Sequence, residues 1–166
     1  MKLYLNKLEQ CLIKTKIQIT GSKSETNRLL LLQSLFENLN LENLSNSDDA
    51  VVMQKGLQVT RGEVDIHHAG TAMRFLTSYF ASGEGKEVVL TGSARMKERP
   101  IRVLVDALLN LGADISYIES EGYPPLKIKG KKLTKTAVSL PANVSSQYIS
   151  SLLLIAPHLN NGLVLN

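Results

Sequence analysis

Cations stand where a buried helix should begin. In the stretch GSKSETNRLLLLQ, from Gly21 to Gln33, Lys23, Ser24, Asn27 and Arg28 lie directly against four consecutive leucines, Leu29 to Leu32. A helix starting near Ser22 to Ser24 would present free backbone N–H groups and the positive end of its dipole, and both favour an anion. Lysine and arginine added there need a counter-charge, of which Glu25 supplies only part. Ser24 and Arg28 are four residues apart and share one helix face, while Lys23 and Asn27 share the adjacent one. A phosphate or carboxylate bound at this end would complete the balance. An N-cap serine followed by a surface Lys/Arg pair explains the same residues without a ligand. The stretch is not a P-loop, because GSKS lacks the glycine before the lysine and the long glycine-rich lead.

The same design recurs along the chain. HAGTAMRF sets Gly70 and Thr71 at a second helix start with Arg74 one turn in, and a glycine there lets a ligand approach the backbone closely. GSARMKERPIRVLVDALL carries Arg95, Lys97 and Arg99 in a connector ahead of Pro100, a residue that suits a first helical turn. ANVSSQY offers Ser145, Ser146 and Gln147 as hydroxyl and amide donors before a further apolar helix. If the fold brings these helix ends together, they form a site for a ligand with several negative groups. Other candidates carry less. His67 and His68 are adjacent, so a strand would point them to opposite faces, and no Cys or further His stands at metal-ligand spacing. Asp48 and Asp49 read as first-turn acids of a helix, and His158 and Cys11 carry no signal.

The elements that must position these residues alternate. KTKIQIT reads as a strand, followed by helices over Ser24 to Phe36 and Asp48 to Val59, the strand GEVDIHH, a helix over Thr71 to Ala81 and the strand KEVVLTG, which is an α/β order. Leu29 to Leu32 with Leu35 and Phe36 cover nearly the whole circumference of the first helix, which predicts that it is buried. ITGS at Ile19 to Ser22 recurs as LTGS at Leu90 to Ser93, an offset of 90 − 19 = 71 residues. TAMRFLTSYFASGEGKEVVL from Thr71 matches SQYISSLLLIAPHLNNGLVL from Ser146, an offset of 146 − 71 = 75. The two offsets predict an internally duplicated unit. The chain stops on the strand LVLN with no helix to cover it, so the second copy is expected to be incomplete.

Bulk composition sets the class. The chain has 166 residues, 43% of them hydrophobic, enough for a packed domain. One cysteine allows no internal disulfide, and neither a secretory leader nor a run of membrane-spanning length is visible, so a cytoplasmic protein with no membrane partner is expected. The net charge of +4 suits anionic partners. The densest basic run, Lys127 to Lys135, has no interleaved aromatics and contains a glycine, which predicts a solvated turn between strands rather than a nucleic-acid surface.

Taken in order, ITGSKSETNR, HAGTAMR, LTGSARMKERPI, LVDALLNLGADI, EGYPPL and VSSQY closely resemble the N-terminal part of the 5-enolpyruvylshikimate-3-phosphate synthases, the 3-phosphoshikimate 1-carboxyvinyltransferases, from about Leu12 to Asn166. The related UDP-N-acetylglucosamine enolpyruvyl transferases share the architecture but look different at the first motif. The resemblance implies an inside-out α/β barrel domain of repeated β-α-β-α-β-β units, incomplete in this chain. Residues 1–20 would be an opening strand region of a partner domain, and 21–166 about two repeat units of the shikimate-3-phosphate-binding domain. It implies transfer of an enolpyruvyl group from phosphoenolpyruvate to shikimate 3-phosphate, in the pathway to aromatic amino acids, without metal or cofactor. By position, Lys23, Ser24, Arg28, Ser145, Ser146 and Gln147 would hold shikimate 3-phosphate. Lys23, Gly70, Arg99 and Gln147 would hold phosphoenolpyruvate, where glyphosate would compete. The residues that move protons would belong to the C-terminal part of the enzyme, so the chain alone is expected to be inactive. His68 stands where many relatives have asparagine, and Phe75 where many have proline.

Overall fold

The computed structural model describes residues 2–4, 6, 16–36, 38–141 and 143–166. Helix α1 spans Lys23–Leu35 and α2 spans Asp48–Leu57. Strand β1 (Arg61–Asp65), helix α3 (Gly70–Ser82) and strand β2 (Glu87–Thr91) follow. A single-turn helix α4 (Ala94–Lys97) leads to α5 (Arg102–Leu111) and the strands β3 (Asp114–Tyr117) and β4 (Leu126–Lys129). Strand β5 (Ala137–Val138), helix α6 (Ser146–Ile155), a 3-10 turn at Ala156–His158 and strand β6 (Val164–Leu165) complete the order.

Two layers form, helices on a sheet. The main sheet runs β1-β2-β4-β3, with β1 parallel to β2 and β4 antiparallel to both of its neighbours. Period-two alternation turns Val88, Leu90, Ile115, Leu126 and Ile128 into the core, while Glu87, Lys127 and Lys129 face outward. The register pairs core residues with each other, Val88 with Ile128 and Leu90 with Leu126. Helix α5 lays down one apolar stripe, Leu104, Val105, Leu108 and Leu111, and ends at Gly112, whose φ of 102° closes the helix in the left-handed conformation.

The segments aligned by the 75-residue offset are both β-α-β. β1–α3–β2 is a parallel pair with its crossover helix, and so is β5–α6–β6. In each copy the helix starts nine residues after the first residue of the strand, 70 − 61 and 146 − 137. The two crossover helices pack together and share a buried hydroxyl contact, Ser78 Oγ donating to Ser151 Oγ at 3.0 Å.

Three expectations are corrected. The central helix is α3, buried at every position from Ala72 to Ser82, whereas α1 buries only Thr26, Asn27, Leu30 and Leu31. Leu29, Leu32 and Leu35 are half-buried and Phe36 is 37% exposed, because α1 packs on α2, α3 and α6 from one side only. Residues 16–20 of the expected first strand form no ladder, and Ile17 and Ile19 are each 76% exposed; Lys14 and Thr15 lie outside the described residues, as does Cys11. Strand GEVDIHH ends at Asp65, since His67 takes a φ of 52° and the Asp65 carboxylate accepts its backbone N–H at 2.7 Å, turning the chain. The basic run lies in the end of β4 and the connector to β5. Among the described residues no helix is long and apolar enough to cross a membrane.

Candidate functional site

The serines ahead of the helices act first as caps. Ser22 Oγ accepts from the Glu25 N–H at 3.4 Å, Ser93 Oγ from Met96 at 3.3 Å and Ser145 Oγ from Gln147 at 3.3 Å. A hydroxyl that accepts from its own helix keeps its O–H to donate, so capping by Ser145 is compatible with holding an anion. Ser24 and Ser146 are exposed in the first turns of α1 and α6.

The missing counter-charge of α1 comes from the next helix. Lys23 Nζ lies 3.3 Å from Asp49 Oδ1 in the first turn of α2. The acid was legible as a first-turn residue, but its pairing with Lys23 was not. Arg28 Nη1 donates to the Ser24 carbonyl at 2.7 Å, and the guanidinium stands 5.4 Å from the centre of the Phe75 ring on α3.

The start of α3 gathers the most. Gly70 lies beneath two guanidinium groups: a methyl placed on it would sit 2.6 Å from Arg99 Nη1 and 2.8 Å from Arg74 Nη1. Arg74 Nη1 donates to the Gly70 carbonyl at 2.7 Å, and its Cζ stacks 5.4 Å from the Tyr148 ring centre. Tyr148 in turn donates to the Pro100 carbonyl at 2.7 Å, which ties α6 to the connector bearing Arg99. Gln147 Nε2 donates to Thr71 Oγ1 at 3.2 Å and joins the first turns of α6 and α3. Arg74 is only 7% exposed, its Nε has no partner, and no acid bridges it among the described residues. A buried guanidinium without an acid leaves a positive field at this helix start.

These contacts set the starts of α1, α2, α3 and α6 at one end of the helical layer, so Lys23, Ser24 and Arg28 share an end with Gly70, Ser145, Ser146 and Gln147. Beside them, Arg99 lines a cavity of about 470 Å³ together with His68, Arg95 and Met96. The cavity opens at the carboxyl ends of parallel strands β1 and β2, where ligands of α/β sheets commonly bind. Lys97 lies in the connector ahead of Pro100 as expected, but its Nζ pairs with Glu119 at 2.6 Å. Pro100 precedes α5 rather than opening it, since Ile101 is the residue at the cap. Sequence reading found Arg74 as a donor but not its burial. Tyr148 gave no signal beyond lying next to Gln147.

Residues 35–166 match the sequence model of the family described as EPSP synthase (3-phosphoshikimate 1-carboxyvinyltransferase). The chain belongs to the EPSP synthase family. A curated relative from Bacteroides fragilis strain YCH46, named 3-phosphoshikimate 1-carboxyvinyltransferase, is 51% identical over 154 residues, which cover 92% of this chain and 37% of the relative. One of the same name from Colwellia psychrerythraea strain 34H is 40% identical over 172 residues, covering 87% of this chain and 40% of the relative. The fold is mixed α/β and similar to that of a solved EPSP synthase from Acinetobacter baumannii, with a TM-score of 0.76 and 21% identity over 87% of this chain and 39% of that one. The chain therefore spans well under half the length of the EPSP synthases it matches.

Proposed function

We propose that this chain carries the shikimate-3-phosphate side of an enolpyruvyl transferase site. In the full reaction the hydroxyl of shikimate 3-phosphate gives up its proton as it attacks C2 of phosphoenolpyruvate while C3 gains one, and the tetrahedral intermediate then loses a C3 proton as it expels phosphate. Lys23, between the two substrates, neutralises charge on the phosphoenolpyruvate side. Ser24 and Arg28 hold the carboxylate end of shikimate 3-phosphate, and Ser145 and Ser146 take its phosphate. Gln147 bridges to the reacting centre, and Gly70 and Arg99 receive phosphoenolpyruvate or the competing glyphosate. The groups that move protons come from the part of the enzyme beyond this chain, so the chain binds without turning over. In domain terms, residues 1–20 belong with that part, and 21–166 form repeat units of an inside-out α/β barrel domain.

The observation that carries this reading is the gathering of four helix starts, with Lys23, Arg28, Arg74 and Arg99, at one end of the fold. Cations concentrated at the positive ends of several helices are complementary to a substrate pair bearing two phosphates and two carboxylates. The family match supports the shikimate substrate over a UDP-sugar. Calorimetric titration of the chain with shikimate 3-phosphate tests it: affinity should fall at least about tenfold in Lys23→Ala and in Arg28→Ala, the loss of one charge-assisted contact. Unchanged affinity in both variants would sink the assignment.

A further inference from the structure

We propose that Tyr148 is a positioning residue for Arg99: its phenol holds the connector so that the Arg99 guanidinium stays over Gly70, ready for phosphoenolpyruvate. The role rests on the reading above and adds to it what orients one cation of that site.

Arg99 needs such a hold. Its side chain is exposed and pairs with no acid among the described residues, and a guanidinium on a long stem has much rotamer freedom to lose when a ligand orders it. Yet its Nη1 comes within 2.6 Å of the place a Gly70 methyl would take, so the group lies directly against the backbone at the start of α3. The connector around it is pinned at three points. The Arg99 N–H donates to the Met96 carbonyl at 3.0 Å, the Ile101 N–H to the Gly122 carbonyl at 2.8 Å, and Tyr148 Oη to the Pro100 carbonyl at 2.7 Å. The first two bonds tie the connector to itself and to the turn between β3 and β4, whereas the phenol ties it to α6.

Packing alone does not require this hydroxyl. Tyr148 is buried, and the ring of a phenylalanine would fill the same space without leaving a cavity. What phenylalanine lacks is the bond to the carbonyl next to Arg99, and Pro100 is exposed, so water can take the place of the phenol there at little cost to the fold. The ring meanwhile faces the Arg74 guanidinium, whose Nη1 donates to the Gly70 carbonyl. One side chain thus acts on Gly70 through Arg74 and on Arg99 through Pro100. The Tyr148 N–H donates to the Ser145 carbonyl at 3.0 Å, so the hold starts from the helical turn that also carries Ser146 and Gln147.

Phosphoenolpyruvate is the probe, titrated into the 166-residue chain and followed by NMR shifts of the Gly70 and Arg99 N–H groups, which report weak binding as well as tight. Tyr148→Phe should weaken it about fivefold, the cost of ordering one long side chain that the phenol otherwise holds. Arg99→Ala should weaken it about tenfold, and adding Tyr148→Phe to Arg99→Ala should change nothing further, because the phenol acts through the guanidinium. In Tyr148→Phe alone, the affinity for shikimate 3-phosphate should stay within about twofold and the thermal midpoint within about 3 °C. Unchanged phosphoenolpyruvate affinity in Tyr148→Phe, a loss that persists in the Arg99→Ala background, an equal loss for shikimate 3-phosphate, or no phosphoenolpyruvate binding by the wild type each overturns the positioning role. Shikimate 3-phosphate binding that still depends on Lys23 and Arg28 shows in every one of these cases that the broader reading stands.

Discussion

Lys23 on α1 and Asp49 on α2 face each other across two helix starts, with Nζ 3.3 Å from Oδ1 and the two side chains 50% and 16% exposed. A pair so open to water contributes little to folding, about 0.5 kcal/mol. Its larger effect is to offset the cation that an arriving anion seeks. Asp49→Asn should therefore leave the thermal midpoint within about 2 °C and tighten shikimate 3-phosphate binding about threefold, both measured on the same preparation. Weaker binding in Asp49→Asn would mean that the carboxylate orients Lys23 rather than competing for it.

Gly70→Ala tests the floor of the site. The added methyl would meet Arg99 Nη1 at 2.6 Å and Arg74 Nη1 at 2.8 Å. Arg99 is exposed and can swing aside, but Arg74 is buried and must shift within its packing, so the expected loss of stability is about 2 kcal/mol, within the range for overpacking. Displacement of both guanidiniums should weaken phosphoenolpyruvate and glyphosate binding more than shikimate 3-phosphate binding, as parallel titrations would report.

The hydroxyl contact between the crossover helices is a stability device. Ser78 Oγ donates to Ser151 Oγ, which itself donates to the Tyr148 carbonyl at 3.0 Å. Ser151→Ala strips a buried donor of its acceptor and should cost about 2 kcal/mol, against about 1 kcal/mol for Ser78→Ala. In urea unfolding the double variant should fall short of additivity by about 0.5–1 kcal/mol.

Alkaline stability should depend on Tyr117. Burial is the main cause that raises its phenol from 10.0 to about 12, with Asp106 and Glu121 adding to the rise and Arg102 opposing it. Below pH 10 the phenol is neutral in both states, so its contribution is intact. As pH climbs from 10 towards 12 the unfolded chain ionises first and stability is lost. Tyr117→Phe should show a shallower fall of the urea midpoint over that interval than the wild type.

What the sequence made legible was local, and what it hid was pairing. Period-two runs such as KEVVLTG and cap residues such as Ser22 and Ser93 are written within a few positions, and they appear as β2 and as N-caps. The run of leucines in α1 misled, because composition around a helix does not say which neighbours exist, and α3 with its serines and threonines occupies the centre instead. Thr77 Oγ1 on Met73 O and Ser82 Oγ on Ser78 O satisfy those hydroxyls inside the helix, which makes a polar sequence fit for burial. Gly70, Ser145 and Gln147 were legible from motif position as residues at helix starts. The Lys23–Asp49 and Tyr148–Pro100 contacts were not, since each joins segments 26 and 48 residues apart, 49 − 23 and 148 − 100.

Because α3 is enclosed from Ala72 to Ser82, it can neither rotate nor slide without breaking packing on every side. Its first residue is thus a fixed reference point, and the rim around it, His68, Arg95, Arg99 and Ser146, is exposed and free of that constraint. Exchanging rim residues one at a time therefore changes the charge and shape presented at this helix start while the packing beneath stays intact.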